Sequence, residues 1–571
     1  MILSMQKEKL HNYLYSQYTT MKIWIAQINT KVANTASWLE YNLKKITDII
    51  KDIGNKCDTI VFPEMTLTGY PLNDILDDDV FVRQQKNGIK TIQDCVRDTN
   101  RKLQVIVWWV DFDEKQFLPD GKMIKYNTAY LVDSESIQTY YKKLLPDYDV
   151  FFEKRYFQPG TQELYFKTAD QLAASITVCE DIWDDHYDIH PVNDIKRWNK
   201  DVQTVFNLSS SPFTINKLER RLKLLQRHYA NMPANYVYVN QVGAQDELVF
   251  DGYSMIMDKT GKLIYLGKWF EEEVTIVDLD ENHTDKSQEL IDISNNKYES
   301  IYNTLVLWLK DYLAKTGIKD VIIWVSGWVD SAVDLALLRA FLPPENIHAF
   351  YLPTEYNQSQ SLTLSQELCN NMWVKLDVYP IQKFVDVFED ISKDRNDVLQ
   401  WTRHENLQAR LRWLILMDMS AKYNGAVINN SNQTEMAMWY ATMYGDSIWF
   451  MSPIWDLNKK EVYELAAWIN ANKGNIIPEG IITRAPSAEL KDAQVDPFDY
   501  MWWESEAIED LLYNVNPVTV QKKYPQIPME RVLELFKMKW RNERKRRQYP
   551  IIVKLKDRSL SIGRQVPIVQ G

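Results

Sequence analysis

The sequence predicts an α/β protein built from two domains, and three observations support this. First, 571 residues are too many for one ordinary hydrophobic core. Second, short β-branched apolar runs alternate with stretches in which apolar residues recur every three or four positions, as in alternating strands and helices. Third, this pattern stops in a polar stretch and then restarts. We therefore predict an extension (residues 1–20), a first domain (21–280), a linker (281–293) and a second domain (294–571).

Composition and charge argue against several classes of protein. Hydrophobic residues make up 45% and charged residues 25% of the chain, as in a folded globular protein. The formal net charge of −12 argues against a basic surface that binds nucleic acid. The chain has no run of about 18 apolar residues that would predict a membrane span, and residues 1–20 lack the apolar run of a signal peptide. Four cysteines do not make a disulfide framework, so we expect a reducing, cytoplasmic location.

Glycine is scarce in this chain and tryptophan is abundant. There are 17 glycines and 20 tryptophans, whereas ordinary usage of about 7% glycine would give roughly 40. Tight turns and phosphate-binding loops normally use glycine, so the shortage bears on any nucleotide site.

Three strand-like or post-strand segments of the first domain carry one reactive residue each. TIVFPE ends in Glu64, YYKKLLP contains Lys142, and SITVCE brings Cys179. A cysteine after a strand can act as a nucleophile when a nearby carboxylate moves its proton, and a lysine can stabilise the resulting oxyanion. An equally good interpretation of the spacing alone is a buried apolar cysteine, a surface acid and a solvated base.

Five longer segments contain or accompany these residues: VFPEMTLTGYP, YYKKLLPDYDVFFEKRYFQPG, CEDIW, NLSSSPF and NQVGAQDELVFDG. In this order they resemble a nitrilase-superfamily glutaminase, more narrowly the amino-terminal domain of the glutamine-dependent NAD⁺ synthetase family. The resemblance implies an αββα nitrilase-like sandwich. It implies that Cys179 is the nucleophile, Glu64 the general base and Lys142 the oxyanion and orientation lysine. It also implies that glutamine is held by Tyr148, Ser211 and Lys217.

Two acidic residues depart from the family pattern in the first domain. Asp147 stands where asparagine is usual, and Asp149 stands where glycine is usual. Two extra carboxylates near a glutamine pocket can weaken binding of the carboxylate of the substrate.

The second domain begins with a strand, a short loop and a helix in the segment DVIIWVSGWVDSA. Small residues in such a loop let backbone N–H groups approach phosphate oxygens, and the helix that follows offers its N-terminus. The alternative is a simple helix N-cap. The segment resembles the pyrophosphate-binding loop of the same family, and the resemblance implies that ATP is bound by Val325, Ser326, Gly327, Trp328, Val329, Asp330, Ser331 and Ala332.

Further segments follow this loop: HENLQARLR, INNSNQTEMAMWYATMYGD, SPIWDLNKKEVYELAAWIN, APSAEL and RNERKRRQ. They resemble successive blocks of the ligase domain of the same family, whose fold is a doubly wound parallel sheet with a pyrophosphate loop. The resemblance implies that Asn406, Glu435 and Lys545 contact deamido-NAD⁺ and that Asn430 contacts ATP. It also implies that Asp330 and Glu435 lie near a Mg²⁺ ion. For Lys545 alone, a solvated basic run is the simpler interpretation.

Tryptophans stand at glycine positions of the resembling blocks: Trp324, Trp328, Trp439, Trp449 and Trp455. Gln433 and Val495 also depart from the pattern. An indole crowds a backbone that must reach a phosphate, and tryptophan adopts positive φ only with strain. Either the pocket is reshaped and active, or the chain keeps the fold and binds ATP poorly; the crowding argument favours poor binding.

The resemblance implies a two-step chemistry in one homo-oligomeric protein. Glutamine is hydrolysed to glutamate and ammonia, and ATP adenylates deamido-NAD⁺ before ammonia displaces AMP to give NAD⁺. Ammonia would mostly be protonated in bulk water, so a closed path between the sites is expected. Two alternatives stay open: an amidase with an impaired ligase half, and a non-catalytic metabolite-binding protein. The second alternative predicts loss of Glu64, Lys142 or Cys179, and all three are present.

Overall fold

The chain forms two compact units in a computed structural model. The first unit comprises residues up to Gln245 together with Val249–Asn296, and the second comprises Asp246–Leu248 and Lys297 onward. The structure describes residues 21–571 except 33–35, 85, 101, 120, 398, 447–449, 485–486, 488, 492–493, 495–497, 499–502, 514, 543–544, 546–549, 565 and 567–571. The predicted extension (residues 1–20), Trp449 and Val495 therefore lie outside the described residues.

The first unit contains two six-stranded sheets with helices outside them, which confirms the predicted αββα sandwich. One sheet has the order β14-β1-β2-β3-β4-β5 and the other β13-β12-β9-β8-β7-β6, with a separate β10-β11 ribbon. The strands are β1 (Lys22–Gln27), β2 (Thr59–Val61), β3 (Gln104–Phe117), β4 (Met123–Val132), β5 (Ile137–Tyr141), β6 (Tyr165–Lys167), β7 (Ala173–Val178), β8 (Val202–Ser209), β9 (Asn235–Asn240), β10 (Val242–Gln245), β11 (Leu248–Asp251), β12 (Met255–Met257), β13 (Leu263–Leu266) and β14 (Glu273–Asp278).

The helices of the first unit are amphipathic and cover the sheets. Their apolar faces are buried; in Lys217–Asn231, for example, Leu218, Leu222 and Leu225 enter the core. The helices are α1 (Ala36–Ile53), α2 (Asp79–Gln84), α3 (Lys86–Thr99), α4 (Glu153–Tyr156), α5 (Pro191–Trp198), α6 (Lys217–Asn231) and α7 (Ser287–Asn295).

Part of the predicted linker is a helix. Residues 281–293 overlap α7, and Leu290 on this helix is fully buried in the core of the first unit. The polar residues at the start of this segment suggested a connector, but the apolar side chains that follow pack against the sandwich.

The second unit contains one six-stranded sheet with the order β17-β16-β15-β18-β19-β20, and its pairs are parallel. This confirms the predicted doubly wound parallel sheet. The order reverses between β15 and β18, and ligands of such sheets bind at the carboxyl ends of the strands beside this reversal. The strands are β15 (Val321–Trp324), β16 (Ile347–Tyr351), β17 (Leu376–Val378), β18 (Ala426–Ile428), β19 (Met451–Ser452) and β20 (Ile551–Ile552).

The helices of the second unit surround this sheet. They are α8 (Lys297–Thr316), α9 (Val329–Arg339), α10 (Ser359–Asn371), α11 (Gln382–Asp394), α12 (Trp401–Tyr423), α13 (Gln433–Met438), α14 (Lys459–Lys473), α15 (Glu479–Thr483), α16 (Trp503–Leu512), α17 (Pro517–Lys523) and α18 (Met529–Asn542). Among the described residues of either unit, no helix is both long and apolar enough to cross a membrane.

Candidate functional site

Cys179 follows directly after the buried strand β7 and begins a 3₁₀ turn, Cys179–Ile182. Its φ of 41° lies in the left-handed region. For a residue other than glycine this conformation costs about 1–2 kcal/mol, so the surrounding structure must hold it in place. The turn lifts the half-buried side chain out of the line of the strand. A strained turn at the carboxyl end of a strand is a suitable mount for a nucleophile.

Asp181 holds this turn against the segment that carries Lys142. One carboxylate oxygen accepts hydrogen bonds from the backbone N–H groups of Lys143 (3.0 Å) and Leu144 (2.9 Å). The other accepts from the N–H of Val178 and from the hydroxyl of Tyr140, both at 2.9 Å. Asp181 is fully buried, so these bonds also compensate the loss of its hydration. The residue fixes Cys179 and Lys142 relative to each other.

Lys142 and Glu64 form a fully buried ion pair. The Nζ of Lys142 lies 2.8 Å from Oε1 of Glu64 and 2.9 Å from Oε1 of Glu153. The side-chain amide of Asn127 donates to both carboxylates, at 2.9 and 3.2 Å. The second oxygen of Glu64 accepts the N–H of Ser210 at 3.1 Å. The predicted base and lysine are therefore brought together and held by groups on three other segments.

The charges of this cluster act on the Cys179 thiol. Burial and the carboxylate of Glu64 raise the pKa of Cys179 well above its ordinary value, and Lys142 opposes them. Burial alone would lower the pKa of Lys142, but Glu153 and Glu64 raise it well above its usual range. Burial likewise raises the pKa of Glu153. The resting site thus holds a protonated thiol and a lysine cation next to a carboxylate.

Two of the predicted glutamine-binding residues, Tyr148 and Lys217, lie near Glu180, which follows the cysteine. The hydroxyl of Tyr148 donates to Glu180 at 3.0 Å, and that of Tyr187 donates to it at 2.9 Å. The Nζ of Lys217 lies 4.0 Å from the ring centroid of Trp183. Burial, together with the cations of Arg221 and Arg220, lowers the pKa of Lys217 to about 8. Lys217 and Glu180 offer opposite charges to a zwitterionic amino acid.

Ser211 is buried and fixed through its backbone. Its N–H donates to Oδ1 of Asn240 at 2.9 Å, and its carbonyl accepts from Arg221 at 2.8 Å. Arg221 in turn forms a buried ion pair with Asp251 at 2.8 Å. Asp149, one of the two acidic departures, has a φ of 54°, a conformation that favours glycine.

The predicted phosphate loop of the second unit lies between β15 and α9, at the reversal of strand order. Gly327 has a φ of 81°, and a Cβ there would lie 2.5 Å from the carbonyl oxygen of Ser361. Only glycine fits this position. The Oγ of Ser331 lies 3.1 Å from Oγ of Ser326 and accepts the N–H of Ser326 at 3.2 Å. The loop is a tight turn that presents the N-terminus of α9.

A cavity of about 480 Å³ opens beside this loop. Most of the residues predicted for the second site line it: Ser326, Trp328, Val329, Asp330, Asn406, Asn430, Glu435 and Lys545. The other loop residues, Val325, Gly327, Ser331 and Ala332, are buried and are not part of the lining. The fold thus brings together, in one cavity, side chains that are up to more than 200 positions apart in the sequence.

Asp330 and Glu435 face the same ammonium group in this cavity. The Nζ of Lys459 forms an ion pair with Asp330 and lies 3.3 Å from Glu435. Asn432 donates to the other oxygen of Asp330 at 2.9 Å. Among the described residues, no group of three or more His, Cys, Asp or Glu side chains could hold a metal ion. Two carboxylates fit Mg²⁺ only when phosphate and water oxygens complete the shell.

Asn430, Asn406 and Lys545 are each positioned by a hydrogen bond. Asn430 donates to the carbonyl of Trp324 at 2.8 Å, while its Oδ1 is buried and has no partner in the described part of the chain. Asn406 accepts from Thr442 at 2.8 Å. The Nζ of Lys545 donates to the carbonyls of Trp439 and Ala441 at 2.9 and 2.8 Å. Lys545 is therefore bonded at the cavity and is not part of a solvated basic run.

The tryptophans at glycine-like positions have different environments. Trp328 has a φ of −113°, so the expected backbone strain is absent there, although the guanidinium carbon of Arg484 lies 3.2 Å from its ring centroid. Trp439 has a φ of 50° and does carry that strain. Trp439 and Trp455 are fully buried, with ring centroids 6.3 Å apart. Trp324 lies 5.0 Å from the guanidinium of Arg412.

Three residues of these sites were missed by the sequence reasoning: Asn127, Glu153 and Lys459. Glu153 and Lys459 lie inside segments that resemble the family and were singled out for other residues, whereas Asn127 lies outside those segments. The signal that could have identified these residues is a polar side chain in a segment that is expected to be buried. Asn127, for example, is the first residue of the strand-like run NTAYLVD and is buried in the structure.

Comparisons with known proteins identify a family for each half of the chain. The family description of carbon–nitrogen hydrolases matches residues 22–287, and that of NAD synthases matches residues 301–549. Glutamine-dependent NAD⁺ synthetases of Thermotoga maritima and Synechocystis sp. are each 30% identical to this chain, over 96% of it and 98% of their own length. The one from Acinetobacter baylyi is also 30% identical, over 97% of this chain and 99% of its own.

Solved structures give the same result. The glutamine-dependent NAD⁺ synthetase of Acinetobacter baumannii in complex with ADP has a TM-score of 0.72 and 28% identity, over 96% of this chain and 98% of that one. The synthetase of Cytophaga hutchinsonii, at 20% identity over 97% of this chain and 98% of that one, supports the fold alone with a TM-score of 0.77. The chain belongs to the family of glutamine-dependent NAD⁺ synthetases, ATP-dependent ligases with glutaminase activity.

Proposed function

We propose that Cys179, Glu64 and Lys142 carry out the glutaminase step of this ligase. The observation that supports it most directly is the buried contact of 2.8 Å between Lys142 and Glu64, whose charges both act on the Cys179 thiol. Because the pKa of that thiol is raised, the sulfur needs a base as it attacks the amide carbon of glutamine. Glu64 takes the proton and passes it to the leaving ammonia, and the Lys142 cation stabilises the oxyanion.

The thioester formed on Cys179 is then hydrolysed by water, with Glu64 again as the base. Glu153 and Asn127 are positioning residues in this proposal, because they hold Lys142 and Glu64 at hydrogen-bond distance. Tyr148, Ser211 and Lys217 hold the glutamine, with the Lys217 ammonium facing its carboxylate. The pair of opposite charges at Lys217 and Glu180 supports this assignment.

We place the ligase step in the cavity of the second unit. The loop Val325–Ala332 and Asn430 contact ATP, and Asn406, Glu435 and Lys545 contact deamido-NAD⁺. The carboxylate of deamido-NAD⁺ attacks the α-phosphorus of ATP, pyrophosphate leaves, and ammonia then displaces AMP. The buried Oδ1 of Asn430, which has no partner among the described residues, supports a polar ligand at this place.

Asp330 and Glu435 would hold a Mg²⁺ ion, which supplies positive charge to the phosphates when it is bound. Lys459 neutralises the same two carboxylates in the free cavity. On nucleotide binding its ammonium is within reach of a phosphate that enters between them. The chain itself therefore provides a cation at the place where negative charge develops.

The domain limits, oligomer and location are part of the same proposal. We assign the glutaminase to residues 21–280 and the ligase to 294–571, joined by the segment 281–293. A homo-oligomer in the cytoplasm is the expected form, and four free cysteines, three of them buried, suit a reducing compartment.

The test supplies glutamine, deamido-NAD⁺, ATP and Mg²⁺ and follows glutamate and NAD⁺ separately. We expect both products from the unaltered chain. Cys179→Ala should abolish NAD⁺ formation from glutamine and leave it intact with free ammonia. Glutamate without NAD⁺, with either nitrogen source, would favour the amidase with an impaired ligase half, which none of the comparisons supports.

A further inference from the structure

Four helices of the second unit end in the same type of turn: α8, α10, α12 and α13. In this turn, the residue after the last helical positions adopts a left-handed conformation, and the next N–H bonds back to a carbonyl five residues earlier. These bonds run from Ile318 to Leu313 (3.0 Å), from Val374 to Cys369 (2.9 Å), from Gly425 to Ser420 (3.1 Å) and from Tyr440 to Glu435 (2.9 Å). The left-handed residues are Gly317, Trp373, Asn424 and Trp439, with φ of 76°, 60°, 50° and 50°.

Two of these four residues suit the turn and two do not. Glycine is the usual residue at this position and asparagine the usual substitute. A bulky side chain there is an outlier because its Cβ crowds the following carbonyl. Trp373 has no burial that would offset the strain, since 82% of it is exposed. Trp439 combines the same backbone with a fully buried indole.

The counts of glycine and tryptophan in the chain support the same interpretation independently of the backbone angles. A chain of this length would ordinarily carry roughly 40 glycines, and this one carries 17 glycines and 20 tryptophans. Glycine is thus missing in the chain as a whole, while tryptophan occupies turns that are built for glycine. The segments that resemble the family also place Trp324, Trp328 and Trp455 at glycine-like positions.

We propose that the codon at positions 373 and 439 is UGA and that the source cell reads it as glycine, so that the natural enzyme carries glycine there. UGA is not the standard tryptophan codon UGG, and it differs from the glycine codon GGA only in its first base. The same reassignment accounts for Trp324, Trp328 and Trp455. This inference does not depend on the proposed catalytic residues. At positions 373 and 439 it follows from backbone geometry and composition, and at 324, 328 and 455 from composition and from the glycine-like positions of the resembling segments.

The consequence for the ligase cavity is substantial. Trp324, Trp328 and Trp439 all contribute to its lining. With glycine at these three positions, three indole side chains no longer line the cavity, and its volume beside the phosphate loop is larger. The backbone N–H at position 328, directly before α9, becomes accessible to a phosphate oxygen. The crowding of the ATP site then arises only where UGA is translated as tryptophan, and the natural enzyme does not have it.

Two other tryptophans serve as internal controls because neighbouring side chains contact their indole rings. Trp183 has a φ of −94°, and its ring faces the Lys217 ammonium at 4.0 Å. Trp468 lies within α14, and its ring centroid is 5.3 Å from that of Tyr302. We expect both to be encoded by UGG and to be tryptophan in the natural protein.

The test determines the codons of the gene and the peptide masses of the enzyme purified from its source cell. We expect UGA and a glycine mass at positions 373 and 439, and UGG and a tryptophan mass at 183 and 468. A tryptophan mass at 373 and 439 would overturn the proposal, and so would UGG codons there.

A second measurement uses the recombinant chain with tryptophan at all these positions. Trp373→Gly, which removes an exposed indole from a left-handed turn, should raise Tm by about 2–4 °C. Trp468→Gly, placed in the middle of a helix, should lower it. A Tm for Trp373→Gly that is equal to or below that of the unaltered chain would contradict the backbone argument.

Discussion

The glutaminase site and the ligase cavity are built in opposite ways. In the first, Glu64 and Lys142 are fully buried and are joined to each other and to their supports by hydrogen bonds of 2.8–3.2 Å. In the second, the Oδ1 of Asn430 and the Nε1 of Trp324 are buried without a partner among the described residues. The charged groups of the first site are thus already paired, whereas the second cavity contains buried polar atoms that a ligand can contact.

The two sites therefore differ in whether their charged groups are already arranged before the ligand binds. In our proposal the glutaminase site activates a thiol whose pKa is raised, and its charges are fixed before substrate arrives. We propose that the ligase cavity accepts a polyanion, and a cation, Lys459, lies there between two carboxylates. Substitutions should therefore damage the two activities independently, and the following predictions test this.

Glu64→Gln should produce the largest effect. The amide keeps the shape of the side chain but cannot take the proton of Cys179, so glutamine-dependent kcat/KM should fall by about 10²–10⁴-fold. Steady-state assays with glutamine and with free ammonia measure the two halves separately. An equal fall in both assays would contradict the independence of the sites.

Lys459→Met should reduce NAD⁺ formation by about 10²-fold with either nitrogen source, because it removes a cation from the phosphate region and leaves Asp330 and Glu435 to repel each other. Glutamate release in the absence of ATP should be unchanged. The matched control is Lys460→Met, which removes the neighbouring lysine that pairs with Glu506 instead. If both variants lose the same activity, Lys459 has no special role.

The KM for glutamine should rise by about tenfold per pH unit above pH 8. Burial lowers the pKa of Lys217 to about 8, so its ammonium is present below that pH and is lost as the pH rises through it. Lys217→Arg keeps the charge and should move this rise to higher pH. A KM profile that is the same in both proteins would rule out Lys217 as the group that holds the glutamine carboxylate.

Asp334→Leu should stabilise the protein by about 1–3 kcal/mol. Asp334 on α9 is fully buried, and neither of its carboxyl oxygens has a partner among the described residues. Burial, and then the charge of Asp330, raises its pKa well above the ordinary value. The folded chain therefore holds this proton to higher pH than the unfolded chain, and stability declines as pH rises above about 4.

Unfolding of the Asp334→Leu variant in urea at two pH values measures this effect. The gain in stability should be larger at pH 7 than at pH 4, where the carboxyl is closer to neutral in both states. A variant that is less stable than the parent at pH 7 would show that the carboxyl group has a stabilising partner.

Trp328→Gly should give the smallest effect, a rise in ATP affinity of roughly tenfold, or about 1.4 kcal/mol. The reason is that the ring of Trp328 lines the cavity directly before the N-terminus of α9. Calorimetric titration with ATP measures the change, and Trp198→Gly, at an exposed position of the first unit, is the control. Equal ATP affinity in parent and variant would contradict the proposal that the Trp328 ring crowds the ATP site.

Much of the fold and of both sites could be predicted from local sequence patterns. Alternation of apolar runs indicated two α/β domains, and the segments around Glu64, Lys142, Cys179 and the Ser326–Ser331 loop resembled those of a known family, which implied two reactive centres. These features are local, so a window of a dozen residues contains them. The helix that overlaps the predicted linker was not recognised because its start is polar and its burial depends on the sandwich.

What only the tertiary structure decided is which distant groups meet. Asn127 bonds to Glu64 across 63 residues and Lys459 bonds to Asp330 across 129, and sequence spacing carries no information about such pairs. Backbone angles belong to the same class, since φ is negative at Trp328 and positive at Trp439 although both stand at glycine-like positions. Residue types and local order determined the chemistry available to this chain. Long-range packing determined which buried charges are compensated, because a charge removed from water is stable only beside the partner that the fold brings to it.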